Sequence, residues 1–292
     1  MNLGEFIKSK RPNLSESSVK TYLSILSNLL KKVYGTNEFS IDKLNDSTKI
    51  LEFLKDYTPN RRRTILSALV ITTELPEYRT LMMEDSNNYA TQIATQVKTQ
   101  KQQDNTITQD ELQKLLKKHK NIATRLYKKE EFTAKDYQDI QDYILLALFS
   151  GVYIIPRRSL DYTSFKFHNI DKLVDNFMDG NELVFQKYKT AKSKGMQRIK
   201  IPITLKNILA KWKKINPTDY LLFNNKQNPL TSATMTQKFN RLFGNRNISI
   251  NNLRSSYLSH KYQDTIQMRE DLESDMEQMG SSLNMSNTYI KR

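Results

Sequence analysis

The first hundred residues alternate apolar and polar positions with the period of an α-helix. In "NLSESSVKTYLSILSNLLKKVYG", apolar side chains recur every three or four positions between Val19 and Val33. Ser15 is a suitable N-cap before this run, and Gly35 is a suitable stop after it. The same spacing predicts helices in "DSTKILEFLKDY", in "RRRTILSALVITTEL", which Pro76 ends or bends, and in "YRTLMMEDSNNYATQIATQVKTQ".

The pattern breaks at "KTQKQQDNT", residues 98–106, which contains no apolar residue. We interpret this stretch as a linker between a helical domain, residues 1–97, and a second domain, residues 107–292. Thr108, followed three positions later by Glu111, predicts a capping box at the head of a new helix. The apolar stretch "DYQDIQDYILLALFSG" then predicts a buried helix that Gly151 ends.

The middle of the second domain changes to a strand-like pattern. "NELVFQKYKTAKSKGMQRIKIPIT" holds two partly alternating runs separated by a lysine-rich turn, which predicts a β-hairpin with a basic tip. A turn at Gly180 and Asn181 precedes it. Helical spacing returns in "ITLKNILAKWKKI", "SATMTQKFNRLFG" and "INNLRSSYLSHKY". The predicted fold class is therefore mainly α with a small β-sheet or hairpin (α+β).

Charge and composition limit the classes of partner and cofactor that the chain is expected to bind. The formal net charge is +15, which favours a polyanionic partner, most often nucleic acid. A membrane surface or a merely solvated basic surface are the alternatives. There is no cysteine, and the three histidines lie far apart, so we expect no metal site and no cofactor. The longest apolar run, "YILLALF", is too short to span a bilayer, and the start is not a secretory signal, which predicts a soluble intracellular protein.

The segment "SGVYIIPRRSLDY" resembles the arginine box of the tyrosine recombinases, the phage integrase family. In that family an arginine after a glycine turn is followed three residues later by an acid, as Arg158 is by Asp161. Arg157 is a second candidate for the same role. An arginine and an aspartate at this spacing also occur as ordinary surface ion pairs on helices.

The hairpin is similar to a second element of this family, a lysine at the tip between two strands. "YKTAKSKGMQRIKIP" places Lys189 there, and Lys187 and Lys192 compete for the role. A third element is the family's second arginine at the head of a helix, which "INNLRSSYLSH" matches with Arg254. Asn251 occupies the position at which the family has a histidine, which is a departure from its pattern.

The last residues, "QMGSSLNMSNTYIKR", resemble the segment that carries the nucleophile of the family. Gly280 matches its glycine turn and Tyr289 its tyrosine, while Ser281 replaces a second histidine. The four elements follow one another in the family's order. The alternative for each is structural: a solvated basic hairpin, a surface-paired arginine or a packing tyrosine.

The resemblance implies a DNA strand transferase that needs neither metal nor ATP. Tyr289 would attack phosphorus and form a 3′-phosphotyrosyl bond, and Arg158 and Arg254 would bind the phosphate oxygens. Lys189 would protonate the leaving 5′ oxygen. Asn251 and Ser281 could still donate hydrogen bonds to that phosphate, although neither replaces imidazole as an acid or base.

The family further implies a helical core-binding domain and a catalytic domain that clamp double-stranded DNA, with four protomers on two synapsed duplexes. The composition and the form of the first box indicate a viral or mobile-element source. Two other hypotheses are a type IB topoisomerase-like enzyme and a DNA-binding protein whose catalysis has decayed. Phosphate contacts are expected from two basic clusters: Arg61, Arg62 and Arg63 in the first domain, and Lys187, Lys192 and Lys194 in the hairpin.

Overall fold

A computed structural model of the chain describes residues 2–95 and 97–290. The chain divides into two compact units, Met1–Thr99 and Gln100–Arg292. Each unit encloses a separate cluster of buried apolar side chains. The units are therefore described one after the other.

The first unit is helical throughout its described residues. Its core takes buried apolar side chains from every one of its helices, so that no helix is merely peripheral. The helices are α1 (Leu3–Lys10), α2 (Glu16–Tyr34), α3 (Ile41–Asn45), α4 (Ser47–Leu54), α5 (Pro59–Thr73) and α6 (Pro76–Ala94).

The ends of these helices follow from their capping residues. Ser15 accepts a hydrogen bond from the backbone N–H of Ser18 at 3.2 Å, and Gly35 ends α2 with φ +71°. Pro76 lies at the first position of α6, where its missing N–H costs nothing. The preceding helix had already ended at Thr73, so Pro76 begins a helix rather than bending one.

One buried ion pair ties α5 to α6. Arg62 donates two hydrogen bonds to Asp85, from Nε at 2.8 Å and from NH2 at 2.7 Å. The side chain of Asp85 is 1% exposed. A carboxylate in such a place must be paired, because an isolated buried charge is strongly unfavourable. The guanidinium of Arg62 is thus already engaged within the first unit.

The second unit combines helices with a small sheet. Short 3₁₀ turns lie at Ser159–Asp161 and Leu283–Met285. The other elements are α7 (Gln100–Asp104), α8 (Gln109–Leu126), α9 (Ala134–Phe149), β1 (Phe165–Lys166), β2 (Asn176–Asp179), β3 (Glu182–Phe185), α10 (Ala191–Lys194), β4 (Gln197–Lys200), α11 (Ile203–Ile215), α12 (Ser232–Leu242), α13 (Ile250–Lys261), α14 (Gln263–Gln278) and α15 (Ser286–Tyr289).

The sheet has the order β1-β2-β3-β4, with β1 parallel to β2 and the other neighbours antiparallel. Phe185 at the end of β3 pairs with Gln197 at the start of β4. The predicted hairpin therefore exists, and its connection spans residues 186–196. The prediction of a mainly α fold with a small sheet is confirmed.

An aromatic cluster joins this sheet to the buried helix α9. The ring of Tyr162 lies 5.2 Å from that of Phe149 on α9 and 5.5 Å from that of Phe185 on β3, both edge to face. Phe239 on α12 contacts Phe149 at 5.5 Å. Edge-to-face pairs at these distances add to the gain from burying the rings. The arginine box, which ends at Asp161 directly before Tyr162, is anchored to this core.

Residues 98–106, interpreted as a linker, contain the short helix α7. Thr108 caps α8 as expected, accepting from the N–H of Glu111 at 3.2 Å. The capping box is wrong in its second half, because the Glu111 side chain pairs with Arg246 instead. None of the helices in the described part of the chain is long and apolar enough to cross a membrane.

The Arg62–Asp85 pair predicts a large loss of stability in Arg62→Met, which keeps the aliphatic volume but leaves Asp85 unpaired. We expect the free energy of opening α5 and α6 to fall by about 3 kcal/mol. Amide hydrogen exchange resolved over these two helices measures it. Arg61→Met is the matched control, since Arg61 is exposed and stacks only on the Tyr57 ring, at 4.5 Å. Equal losses in both variants would contradict the importance of the pair.

Candidate active site

The arginine box lies in an extended segment between α9 and the 3₁₀ turn. Helix α9 ends at Phe149, and the chain turns at Gly151 with φ +80°. Arg157 and Arg158 follow, and Arg158 is the residue that precedes the turn Ser159–Asp161. Arg158 is exposed, whereas the side chain of Arg157 is only 16% exposed. Two adjacent arginines therefore point into different environments.

Asp161 is the buried acid around which the box is organised. It is 4% exposed and accepts a hydrogen bond from Arg157 Nε at 2.7 Å. Burial raises the pKa of Asp161, and the positive charges of Arg157, Arg158 and Arg254 oppose that shift. The second carboxylate oxygen, Oδ1, is buried and has no hydrogen-bond partner among the described residues. Three arginines thus interact with one carboxylate.

Arg254 acts on the carboxylate of Asp161 from a segment that lies much later in the sequence. It lies in the second turn of α13, whose first turn is fixed by a capping box between Ser249 and Asn252. Arg254 is half-buried and donates from NH1 to Asn251 Oδ1 at 3.4 Å. Asn251, which stands where the resemblance places a histidine, therefore contacts the guanidinium of Arg254.

A contact that the sequence did not reveal holds α13 beside the arginine box. A Cβ placed on Gly151 would lie 2.4 Å from Cδ2 of Tyr257, so the tyrosine ring packs directly on the glycine backbone. Tyr257 lies one helical turn after Arg254. The sequence predicts for Gly151 a helix stop and the turn before the arginine box. Gly151 also admits the aromatic ring that brings Arg254 towards Asp161.

The predicted lysines lie together in the connection between β3 and β4. Lys189 is exposed in the turn that follows Tyr188, directly before α10. The DNA-contact candidates of this connection, Lys187, Lys192 and Lys194, are also exposed. A cluster of exposed ammonium groups suits contact with a polyanion.

The C-terminal segment carries Tyr289 on the short helix α15. Gly280, with φ +68°, ends the preceding helix, and Ser281 is half-buried after it. Tyr289 is 57% exposed. Among the described residues, no hydrogen bond or ion pair joins Tyr289 or Lys189 to Arg158 or Arg254. The packing of Tyr257 on Gly151 places the helix that carries Arg254 beside the arginine box, while Tyr289 and Lys189 lie on exposed segments.

Helix α14, which precedes this segment, is exposed and strongly acidic. It carries six carboxylates and one arginine in sixteen residues. Met276 is its buried anchor, while Met268 and Met279 are exposed. The sequence patterns did not predict this helix, because its apolar residues are few and widely spaced.

The arginines of the first unit differ from one another in their surroundings. Arg62 is held by Asp85, as described above. Arg61 lies over the Tyr57 ring and Arg63 over the Tyr89 ring, each with its guanidinium carbon 4.5 Å from the ring centroid. Arg63 also donates from NH2 to Asn60 Oδ1 at 3.1 Å. Stacking on a ring leaves the other N–H donors at the edges of both guanidinium groups, where an anion can reach them.

The arginines of this site have the chemistry that binds phosphate groups. Guanidinium groups bind two phosphate oxygens at once and stay charged at any physiological pH. The described residues contain no group of three or more His, Cys, Asp or Glu side chains that could hold a metal ion.

Solved structures similar to the chain are tyrosine recombinases. A lambda integrase dimer bound to a COC′ core site matches over 90% of this chain and 71% of that chain, with 15% identity and a TM-score of 0.48. XerA recombinase matches over 90% and 84%, with 12% identity and a TM-score of 0.37. XerH recombinase bound to its difH substrate before cleavage matches over 99% and 92%, with 18% identity and a TM-score of 0.38.

No protein-family model matches the sequence, and no curated protein matches it significantly. Because the TM-scores are all below 0.5, we base the function on the residues of the chain.

The contact between Gly151 and Tyr257 predicts that Gly151→Ala is strongly destabilising. The left-handed backbone costs an alanine about 1–2 kcal/mol, and the overlap with the ring adds about 1–3 kcal/mol. Trp212, the one tryptophan, is buried in the second unit, so its fluorescence during urea unfolding measures the loss. Gly180→Ala is the matched control, because Gly180 also has positive φ but no atom near its Cβ position. A control equally destabilised would refute the packing argument.

Proposed function

We propose that the chain is a site-specific DNA recombinase of the tyrosine recombinase type, which cuts and rejoins strands through a 3′-phosphotyrosyl bond. The observation that supports this proposal is the packing of Tyr257 on Gly151, which places α13, and with it Arg254, beside the segment that carries Arg158 and Asp161. Arg158 is exposed and Arg254 half-buried, so each can turn donors towards a phosphate. Asp161 limits the repulsion between them, which would otherwise oppose bringing two cations together.

The cleavage step follows from the residue types. The phenolic oxygen of Tyr289 attacks phosphorus and gives its proton to solvent, and the bond from phosphorus to the 5′ oxygen breaks. Lys189 donates a proton to that oxygen, which leaves as a 5′-hydroxyl. Arg158 and Arg254 stabilise the charge on the nonbridging oxygens. Reversal of the same step by another 5′-hydroxyl rejoins the strands without ATP.

Asn251 and Ser281 have hydrogen-bonding roles in this scheme. Each stands where the family has a histidine, and each can donate one hydrogen bond to a nonbridging phosphate oxygen. Asn251 already accepts from Arg254, which orients that guanidinium. The chemistry of proton transfer then falls to Lys189, because neither an amide nor an alcohol is a useful acid at neutral pH.

The protein acts at double-stranded DNA in this proposal, and its basic residues supply most of the affinity. Arg61 and Arg63 in the first unit, and Lys187, Lys192 and Lys194 in the second, contact phosphates without reading sequence. Four protomers assemble on two synapsed duplexes, and the source is a virus or a mobile element. These last two statements rest on the sequence resemblance.

The first experiment is covalent trapping. A pool of duplexes with randomised sequence and one nick at a fixed position is incubated with the protein, without metal or ATP. A nick beside the cleaved phosphate lets the short product diffuse away, so that the protein–DNA adduct accumulates and survives denaturation. We expect an adduct with the wild-type chain and none with Tyr289→Phe. Tyr262→Phe is the matched control, since Tyr262 is 44% exposed and is the tyrosine that precedes Tyr289 in the sequence.

Other outcomes separate the competing hypotheses. An adduct that persists in Tyr289→Phe would place the nucleophile on another tyrosine. Binding to the DNA pool without any adduct would favour a protein whose catalysis has decayed. An adduct accompanied by relaxation of supercoiled plasmid at concentrations where the protein is monomeric would favour the topoisomerase-like enzyme.

The lysine cluster predicts a salt effect on DNA binding. Each phosphate contact contributes about −0.9 to the slope of log K against log salt concentration, because it releases condensed counterions. We expect Lys192→Ala and Lys194→Ala each to make the slope shallower by about one unit, in a fluorescence anisotropy titration at several salt concentrations. Lys135→Ala is the matched control, since Lys135 on α9 pairs with Asp139. An unchanged slope in both hairpin variants would remove this connection from the DNA interface.

A further inference from the structure

Two of the three guanidinium nitrogens of Arg157 donate hydrogen bonds inside the protein. Nε donates to Asp161 at 2.7 Å, and NH1 donates to Gln197 Oε1 at 2.9 Å. The guanidinium carbon lies 4.1 Å from the centroid of the Phe185 ring and 5.4 Å from that of the Tyr188 ring. An arginine with this many partners at 16% exposure is not free to follow a phosphate.

These partners lie at the two ends of the connection that carries Lys189. Phe185 is the last residue of β3 and Gln197 is the first of β4, and the two are paired across the sheet. Tyr188 directly precedes Lys189, and its hydroxyl donates to the carbonyl of Gly195 at 2.7 Å. The guanidinium of Arg157 therefore contacts both ends of the connection between β3 and β4, residues 186–196, which we call the lysine connection. The Tyr188 hydroxyl bonds one part of this connection to another.

A second buried side chain also links the arginine box to the connection between β3 and β4, through hydrogen bonds to backbone groups. Asn176, which is 3% exposed, donates to the carbonyls of Asp161 and Lys187 at 2.8 Å each. Its Oδ1 accepts from the N–H groups of Gln186 and Lys187, also at 2.8 Å. The position of the arginine box and the start of the lysine connection are therefore set together.

We propose that Arg157 is a positioning residue that acts through Lys189: it fixes the lysine connection relative to Arg158, so that the general acid reaches the leaving oxygen while the phosphate is held. This inference rests on the proposed function. Asn176 supports the same coupling from the backbone side. Arg158 and Arg157 are thus neighbours with separate tasks, one on the phosphate and one on the geometry of the acid.

The chemistry of the leaving group distinguishes this role from a structural one. When the 5′ oxygen is replaced by sulfur, the bond from phosphorus to sulfur breaks and the thiolate leaves without a proton, because a thiol is far more acidic than an alcohol. A defect that acts through Lys189 should then disappear. A defect in binding the phosphate oxygens should persist with either leaving group.

The experiment measures single-turnover cleavage of two nicked duplexes, identical except for a bridging 5′ oxygen or 5′ sulfur, in a sequence recovered from the trapping pool. We expect Arg157→Lys to slow cleavage of the oxygen substrate about 100-fold and that of the sulfur substrate less than about threefold, as expected for loss of general acid catalysis. Lys189→Ala should show the same pattern. Arg158→Ala should slow both substrates.

Two further variants guard against loss of folding. Tyr188→Phe removes only the hydroxyl that closes the connection, and should show the same selective defect at a smaller size. Arg198→Lys is the matched control, because Arg198 lies next to Gln197 on β4 but pairs with Asp179 and Glu182 at the surface. It should cleave both substrates at the wild-type rate.

The outcomes are separable. Equal slowing of both substrates by Arg157→Lys, with Tyr188→Phe unaffected, would overturn the inference and make Arg157 a phosphate ligand or a purely structural residue. If the wild-type chain forms no adduct with either substrate on DNA that it binds, the proposed function itself fails.

Discussion

The carboxylate of Asp161 is buried, and positive charges in the second unit offset the free-energy cost of burying it. A charge in such a place requires cations and hydrogen bonds around it. Arg157 supplies a direct pair, and Arg158 and Arg254 supply longer-range attraction. Because the same acid serves three arginines from two distant segments, moving any one of them changes the surroundings of the others. The site is therefore one electrostatic unit rather than a set of independent side chains.

Adjacent arginines differ in burial and in pairing, and the local sequence does not show which one is buried. Arg62 turns inward to the buried Asp85 and Arg157 to the buried Asp161, while Arg61 and Arg158 beside them are exposed. Asp85 lies on the next helix, whereas Asp161 follows Arg157 by only four residues, so sequence spacing alone does not say which arginine turns inward. Charge counting treats such residues as equivalent, so it overestimates the number of groups free to contact DNA.

The sequence was most informative where short-range rules decide the structure. Ser15, Gly35 and Thr108 act at helix ends as their types predict, and the lysine connection was found from its flanking strands. The family resemblance pointed to Arg158 and Arg254, whose role at a phosphate stays a prediction. Contacts between distant segments were not predictable. Tyr257 against Gly151 and Arg246 against Glu111 depend on how α13 and α8 pack, which no local pattern encodes.

Helix α14 makes the charge of the chain markedly uneven. It carries a net charge of −5, so the remainder of the chain carries +20. A polyanion attracts that remainder and repels α14, and both forces act over a Debye length of about 8 Å at physiological salt. If the protein approaches DNA, this uneven charge orients it. Encounters in which α14 faces away from the duplex are favoured before any specific contact forms.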